Sequence, residues 1–256
     1  MKPWRGNWCP TDTVWNIDWQ LPWYAPWAGY GVSVAQAWQH TPEHLHTALN
    51  SALSPQAAKQ FVPQHMLPDG VAYEAFIHAN QRIPTRNNAH DFFNGLCWLR
   101  FPQSKAQLNR LQAIEIARDG VGGQRGRLRD ALTVFDENAA LLWAPAPIWQ
   151  ALQDKQWQDL FVTQRGLWSE CRLHVFGHAL LEKMLSPYKG ITAHVWCMPL
   201  PDCRNDEQID AGLCQQLTPD NLSSKPFAPL PLAGIPDWWP HNHVPDFYED
   251  KKVFRD

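Results

Sequence analysis

Two short runs hold the side chains best suited to moving a proton. The first, Pro84-Thr85-Arg86-Asn87-Asn88-Ala89-His90-Asp91-Phe92-Phe93-Asn94, puts polar groups at the mouth of a segment that is otherwise apolar almost all round. Polar groups are costly in such surroundings unless they have partners or work. With His90 to Phe101 helical, His90, Asn94, Cys97 and Phe101 share one stripe, while Phe92, Phe93, Leu96, Trp98 and Leu99 cover the other sides. This is the pattern of the wall of a site. The second run carries His178 and Glu182 at i and i+4, so that on a helix they share a face and can ligate one ion or act on one proton. The ordinary alternative is a solvated face with a weak ion pair, because Leu180, Leu181, Met184 and Leu185 fall opposite His178, Glu182 and Lys183. His178 also follows a strand and a glycine, where a helix end presents side chains and amides to a ligand.

The chemistry expected is a catalytic set of His90, Asp91, His178, Glu182 and His194, in a hydrolase or transferase. In a metal-assisted version, His90, His178 and Glu182 hold a divalent ion and leave a position for water. In a metal-free version, Asp91 or Glu182 orients a histidine that moves the proton. Arg86, Asn94, Arg125 and Arg129 are expected to bind a small anionic substrate, a phosphorylated one among the options. The loop Gly120 to Asp130 could cradle phosphate, although it is neither a Walker loop nor a Rossmann turn, and a solvated connector explains it equally well.

Other candidates yield to simpler readings. A metal-binding face His174-x-x-x-His178-x-x-x-Glu182 needs a continuous helix, which Val175, Phe176 and Gly177 disfavour. Cys97 cannot pair with His90 as a nucleophile, since about 10 Å of helix axis separates them. It reads as a small buried hydrophobe. Asp136 and Glu137 could be paired carboxylates, but a tight hairpin turn is the favoured reading. Arg100 is expected half-buried beside Asp91, Asp130, Asp136 or Glu182.

These residues need elements to hold them. Thr41-Pro42 and Ser54-Pro55 predict helices from about Pro42 to Leu53 and from Pro55 to about Val62. Val71 to His78 continues the helical region, which Pro84 ends. A helix over Lys105 to about Ala117 follows the His90 helix, with Leu108, Leu111 and Ile114 at helical spacing. Leu132-Thr133-Val134-Phe135 and Ala140-Leu141-Leu142-Trp143 predict a β-hairpin around Asp136 to Ala139. A helix from about Ile148 to Leu160 precedes a strand at Cys171 to Phe176, a helix at His178 to Leu185 and a strand at Ile191 to Trp196. The fold class is therefore α+β, a predominantly helical single domain with a hairpin and a strand-helix-strand unit.

Composition sets the frame. A chain of 256 residues, 45% hydrophobic, can bury one substantial core. A net charge of -3 argues against a dedicated nucleic-acid or membrane-surface binder. The six cysteines show no paired metal spacing, and no segment has the apolar length of a signal peptide or spanning helix, so a cytoplasmic protein with reduced thiols is expected. Of 15 tryptophans, Trp4, Trp8, Trp15, Trp19, Trp23, Trp27 and Trp38 precede residue 40. With Pro10, Pro22 and Pro26 among them, residues 1–40 read as an extended arm strapped over a core at 41–198. The proline-rich tail, 199–256, reads as extended but docked through Trp238, Trp239, Phe247, Tyr248 and Phe254.

The blocks Pro84-Thr-Arg86, His90-Asp-Phe-Phe-Asn94, Phe101-Pro-x-x-Lys105, Arg129-Asp-Ala-Leu-Thr-x-Phe-Asp-Glu-Asn138, Phe176-Gly-His-Ala-Leu-Leu-Glu-Lys183 and Ile191-Thr-Ala-His194 are joined by the ending Pro231 to Arg255. Together they resemble the bacterial family called domain of unknown function 3025. This chain has Ala139 where the family's hairpin turn is expected to carry glycine. The resemblance implies no activity. An uncharacterised enzyme is the leading expectation, against a non-catalytic binder of RNA or a phosphorylated ligand, or a structural or assembly factor.

Overall fold

The computed structural model describes residues 17–120, 126–198 and 205–255. A 3-10 turn at Ala25–Trp27 runs into α1 (Ala28–His40), and α2 (Leu45–Ser51) follows. β1 (Gln60–Pro63) and β2 (Arg82–Thr85) form a parallel pair on either side of α3 (Tyr73–Asn80) in the chain. Next come α4 (Ala89–Arg100) and α5 (Pro102–Asp119), with only Phe101 between them. The break is local chemistry: Pro102 takes the first turn of α5, where its missing N–H costs nothing. At the other end of α4, the Asn88 side chain accepts the Asp91 N–H at 2.8 Å and fixes where the helix starts.

α6 (Arg127–Asn138) passes directly into β3 (Ala139–Trp143). The chain continues through α7 (Ala146–Gln153), β4 (Arg172–Val175), α8 (His178–Lys183) and β5 (Thr192–Cys197) to α9 (Asp206–Gln216), α10 (Pro219–Ser223) and β6 (Phe227–Pro231). The larger sheet has the order β4-β3-β5-β6. β3 lies inside it, antiparallel to β4 with Leu141 opposite His174, and parallel to β5 with Ala140 opposite Val195. All five β3 residues are buried, as an unbroken apolar run in a sheet interior requires. One apolar cluster extends from Trp23 to Phe254, and Phe101, Phe135 and Phe176 meet within it beneath the first turn of α8.

The protein is α+β and predominantly helical, with several corrections to the expected elements. There is no hairpin around Asp136. Leu132 to Phe135 belongs to α6, and the antiparallel partner of β3 is β4, some thirty residues onward. Ala131, Leu132 and Phe135 are the buried helical face, and the β-branched pair Thr133-Val134 gave the segment its strand-like look. Ala139 therefore opens a strand and needs no turn conformation. Pro55 to Val62 is likewise a turn leading into β1, and Pro84 lies within β2, pairing with Val62. The helix expected to reach Leu160 stops at Gln153, and Asp159–Thr163 forms a separate π-helical turn.

The arm and tail are more structured than extended. Trp4, Trp8 and Trp15 lie outside the described residues, whereas Trp23, Trp27 and Trp38 are buried and Trp38 sits on α1. Tyr24 stacks on Phe93 and its hydroxyl donates to Leu181 O at 2.9 Å, which ties this segment to both α4 and α8. The tail supplies α9, α10 and β6, while Tyr248 and Phe254 pack on Phe161. Arg100 is fully buried, and its carboxylate is Asp206 of α9 at 2.8 Å, none of the four expected candidates. It also lies over the Trp27 ring, 4.9 Å from its centroid.

Candidate acid-base site

Five helices meet around one cavity of about 490 Å³: the start of α3, the face of α4 that carries His90, Asn94 and Trp98, one side each of α5 and α6, and the first turn of α8. The approach of α8 to α6 depends on Gly177. A Cβ there would stand 2.4 Å from backbone atoms of Glu137 and Asn138, so only glycine lets the chain pass this close. Gly177 N–H donates to Ala139 O at 2.8 Å, and the next residue, His178, is thereby delivered beside Asp136.

His178 and His90 face each other with Nε2 to Nε2 at 3.0 Å, their rings nearly perpendicular. His90 Nδ1 lies 2.9 Å from Glu182 Oε2. His178 Nδ1 faces Asp136 Oδ2 at 3.6 Å, beyond a hydrogen bond. Each imidazole is thus backed by a carboxylate on the side away from its neighbour. The two residues titrate in opposite directions. Its hydrogen bond to the Glu182 carboxylate raises His90 above the ordinary histidine value, against the partial burial of the ring. Burial pulls His178 down to about 4; the Asp136 charge opposes this, and Lys105 and His90 add to it.

One assignment of the protons serves these contacts best. Neutral His178 is best served by Nδ1–H toward the Asp136 carboxylate, which leaves its Nε2 as an acceptor. His90 then donates from Nε2 to His178 and from Nδ1 to Glu182, as an imidazolium does. When His90 loses that proton, two Nε2 lone pairs face one another, and a hydroxyl or water that reaches His90 from the cavity would meet a base.

Behind the histidines lies a buried ion pair. Lys105 Nζ donates to Asp136 Oδ1 at 2.5 Å and to Asn94 Oδ1 at 2.9 Å. Burial alone would raise Asp136, but Lys105 and His178 outweigh it and hold the carboxylate below its usual range. Burial alone would lower Lys105, and Asp136 reverses that. Asn94 in turn donates from Nδ2 to Tyr73 Oη at 3.2 Å. Glu74 lines the same wall and accepts from Asn109 Nδ2, with burial pushing its carboxyl up.

Of the expected catalytic residues, His90, His178 and Glu182 come together. Asp91 sits beside them but is engaged elsewhere: its carboxylate accepts from Arg86 N, Nε and Nη2 at 2.6, 3.2 and 2.7 Å. The residue that orients His90 is Glu182. His194 is on β5 opposite Ala139 and is not a lining residue. Glu182 meets His90 through Nδ1, the nitrogen opposite the one facing His178, so His90, His178 and Glu182 do not converge on one point as ligands of an ion. Among the described residues, no group of three or more His, Cys, Asp or Glu is arranged to hold a metal. His178 is buried, and the solvated-face reading of α8 fails for it.

Among the expected binding residues, Asn94, Arg86 and Arg129 line the cavity, and Arg125 lies outside the described residues. Glu74, Asp91, Asp136 and Glu137 line it too, so the wall is not cationic. Cys97 is buried as expected, with its thiol pushed up to about 12. Lys105 and Tyr73 are site residues that the sequence reading does not single out, and Asp136, expected in a hairpin turn, is instead a site carboxylate at the end of α6. The signal was present for one: Lys105 stands three residues before Leu108 and six before Leu111, a charge on the apolar stripe of its own helix.

No helix among the described residues is long and apolar enough to cross a membrane. No curated protein sequence and no solved structure matches the chain. The family model described as "Protein of unknown function (DUF3025)" matches residues 59–256, a span that contains every lining residue of the cavity, from Gln64 to His178, and Glu182 as well. The chain belongs to that family.

Proposed function

We propose that this protein is an enzyme, a hydrolase or transferase, in which His90 is the general acid-base. Glu182 orients His90, and His178 receives or returns its Nε2 proton while Asp136 keeps His178 in the Nδ1–H tautomer. The observation that carries this reading is the 3.0 Å contact between the two Nε2 atoms at the wall of an open cavity, each ring backed by its own carboxylate. A purely structural histidine pair has no need of a partly exposed member, and the His90 side chain is 35% exposed. Histidines whose environments push them apart in this way are the usual acid-base assignments of enzymes.

The substrate requirement shifts with the same observations. Arg86 is held in a two-pronged pair with Asp91, and four carboxylates share the wall with Lys105 and Arg129, so recognition led by phosphate or RNA has little free positive charge to work with. The test is a screen of the purified chain against ester, amide and phosphoester substrates, with each hit repeated on His90→Gln. A loss of about 10²- to 10⁴-fold in the variant supports the reading. Hits that His90→Gln leaves untouched, or no turnover across the screen, count against it.

A further inference from the structure

The hydrogen-bond directions around Asn94 leave one donor at the cavity wall without a partner among the described residues. Lys105 can only donate, so the Asn94 atom 2.9 Å from its Nζ is the carbonyl oxygen. The other end of Asn94 is then its NH₂ group, which donates to Tyr73 Oη at 3.2 Å. Tyr73 Oη is therefore an acceptor in this contact, and its own hydrogen points elsewhere. Among the described residues the Tyr73 hydroxyl makes no other hydrogen bond, and Tyr73 lines the cavity. A phenol O–H left over at a cavity wall is a binding group for a ligand's acceptor atom.

The surroundings narrow the ligand. Burial holds the phenol well above its ordinary range, so it keeps its proton, and Glu74, Asp91 and Asp136 add to this as neighbouring negative charges. Arg86 and Lys105, the cations nearest this wall, are already paired with Asp91 and Asp136, so an anionic acceptor would meet the Glu74 carboxylate with no free counter-charge, a cost an uncharged oxygen does not carry. Asn94, the partner of Tyr73, is four residues after His90, one helical turn or about 6 Å along α4, and Tyr73 and His90 line the same cavity.

We propose that Tyr73 is a substrate-binding residue that donates its hydroxyl hydrogen to an uncharged carbonyl oxygen of an ester or amide, with Lys105 and Asn94 as positioning residues that aim it. This deepens the acid-base reading of the same cavity and rests on it, replacing the anionic substrate with an uncharged acyl compound.

The experiment is a calorimetric titration of the full chain with N-acetylalanine methylamide, its free acid N-acetylalanine, and inorganic phosphate. Tyrosine labelled at Cζ reports contact at Tyr73. Saturable methylamide binding that moves the Tyr73 resonance is expected, with the free acid and phosphate at least several-fold weaker. Tyr73→Phe should weaken methylamide binding about fivefold to tenfold, the loss of one neutral hydrogen bond. Asn94→Asp keeps the hydroxyl but offers it a carboxylate acceptor, and should weaken binding similarly. Equal affinity in wild type and both variants, no methylamide binding, or tighter binding of the free acid or phosphate would overturn the proposal. Turnover is scored separately: methylamide binding without any turnover sinks the acid-base reading alone, while turnover that Tyr73→Phe does not touch sinks the Tyr73 assignment alone.

Discussion

His90 and His178 are 88 residues apart in sequence, yet their Nε2 atoms are 3.0 Å apart, and their surroundings shift the two rings in opposite directions from the ordinary histidine value. One residue is partly open to the cavity and bonded to Glu182; the other is buried next to Lys105. That asymmetry gives the pair a direction for its proton, and several consequences can be measured.

Stability should depend on pH with two opposing limbs. His178 stays neutral in the folded protein down to about 4, while in the unfolded chain it binds a proton near 6.5, so its contribution is lost as pH falls through that window. The full effect is about 3 kcal/mol at most. His90 has the opposite sign. Its folded value is raised, so its contribution is complete below the unfolded value and is lost as pH rises through the folded one. Urea denaturation across pH should show the acid limb flattened in His178→Gln and the limb just above pH 6.5 flattened in His90→Gln.

The ion pair of Lys105 and Asp136 should behave as a unit. Lys105→Met leaves a buried carboxylate without its counter-charge and is expected to cost about 3 to 5 kcal/mol. The double variant Lys105→Met/Asp136→Leu should recover much of that loss. A double-mutant cycle by chemical denaturation measures the coupling, and additive losses would mean that the two charges are held independently.

Gly177→Ala puts a methyl group against the backbone of Glu137 and Asn138, neither of which can turn aside as a side chain could. A destabilisation of about 1 to 3 kcal/mol is expected, with displacement of His178 from His90. The measurement pairs denaturation with the histidine resonances, which should lose their opposed titrations.

Cys97 should be inert. Its thiol is buried, donates to Phe176 O and is pushed up to about 12, so iodoacetamide should leave it unmodified in the folded protein at neutral pH. Cys97→Ala should retain any activity found for the wild type. Rapid native-state labelling at Cys97 would contradict this placement.

The local signals in the sequence were read correctly where one element carried the whole message. The apolar wrap of His90 to Phe101 and the helical spacing of Leu108, Leu111 and Ile114 each lie within one element, and the helices expected there are α4 and α5. α6 was misread because a strand-like run, Leu132 to Phe135, adjoins a true strand, and only the packing of Ala131, Leu132 and Phe135 decides between the two. The site was half legible. His90, His178 and Glu182 were singled out by type and spacing, but the burial of His178 depends on the contact of Gly177 with α6, a tertiary fact. Lys105 with Asp136, and Arg100 with Asp206, are pairings across 31 and 106 residues that no local pattern encodes.

The most direct test of the central claim is nitrogen-detected NMR of the histidine side chains near pH 6.5, with His90 and His178 assigned by their glutamine variants. The account predicts His90 protonated on both nitrogens and His178 neutral as the Nδ1–H tautomer. A neutral His90 beside a His178 that carries its proton on Nε2 would contradict it.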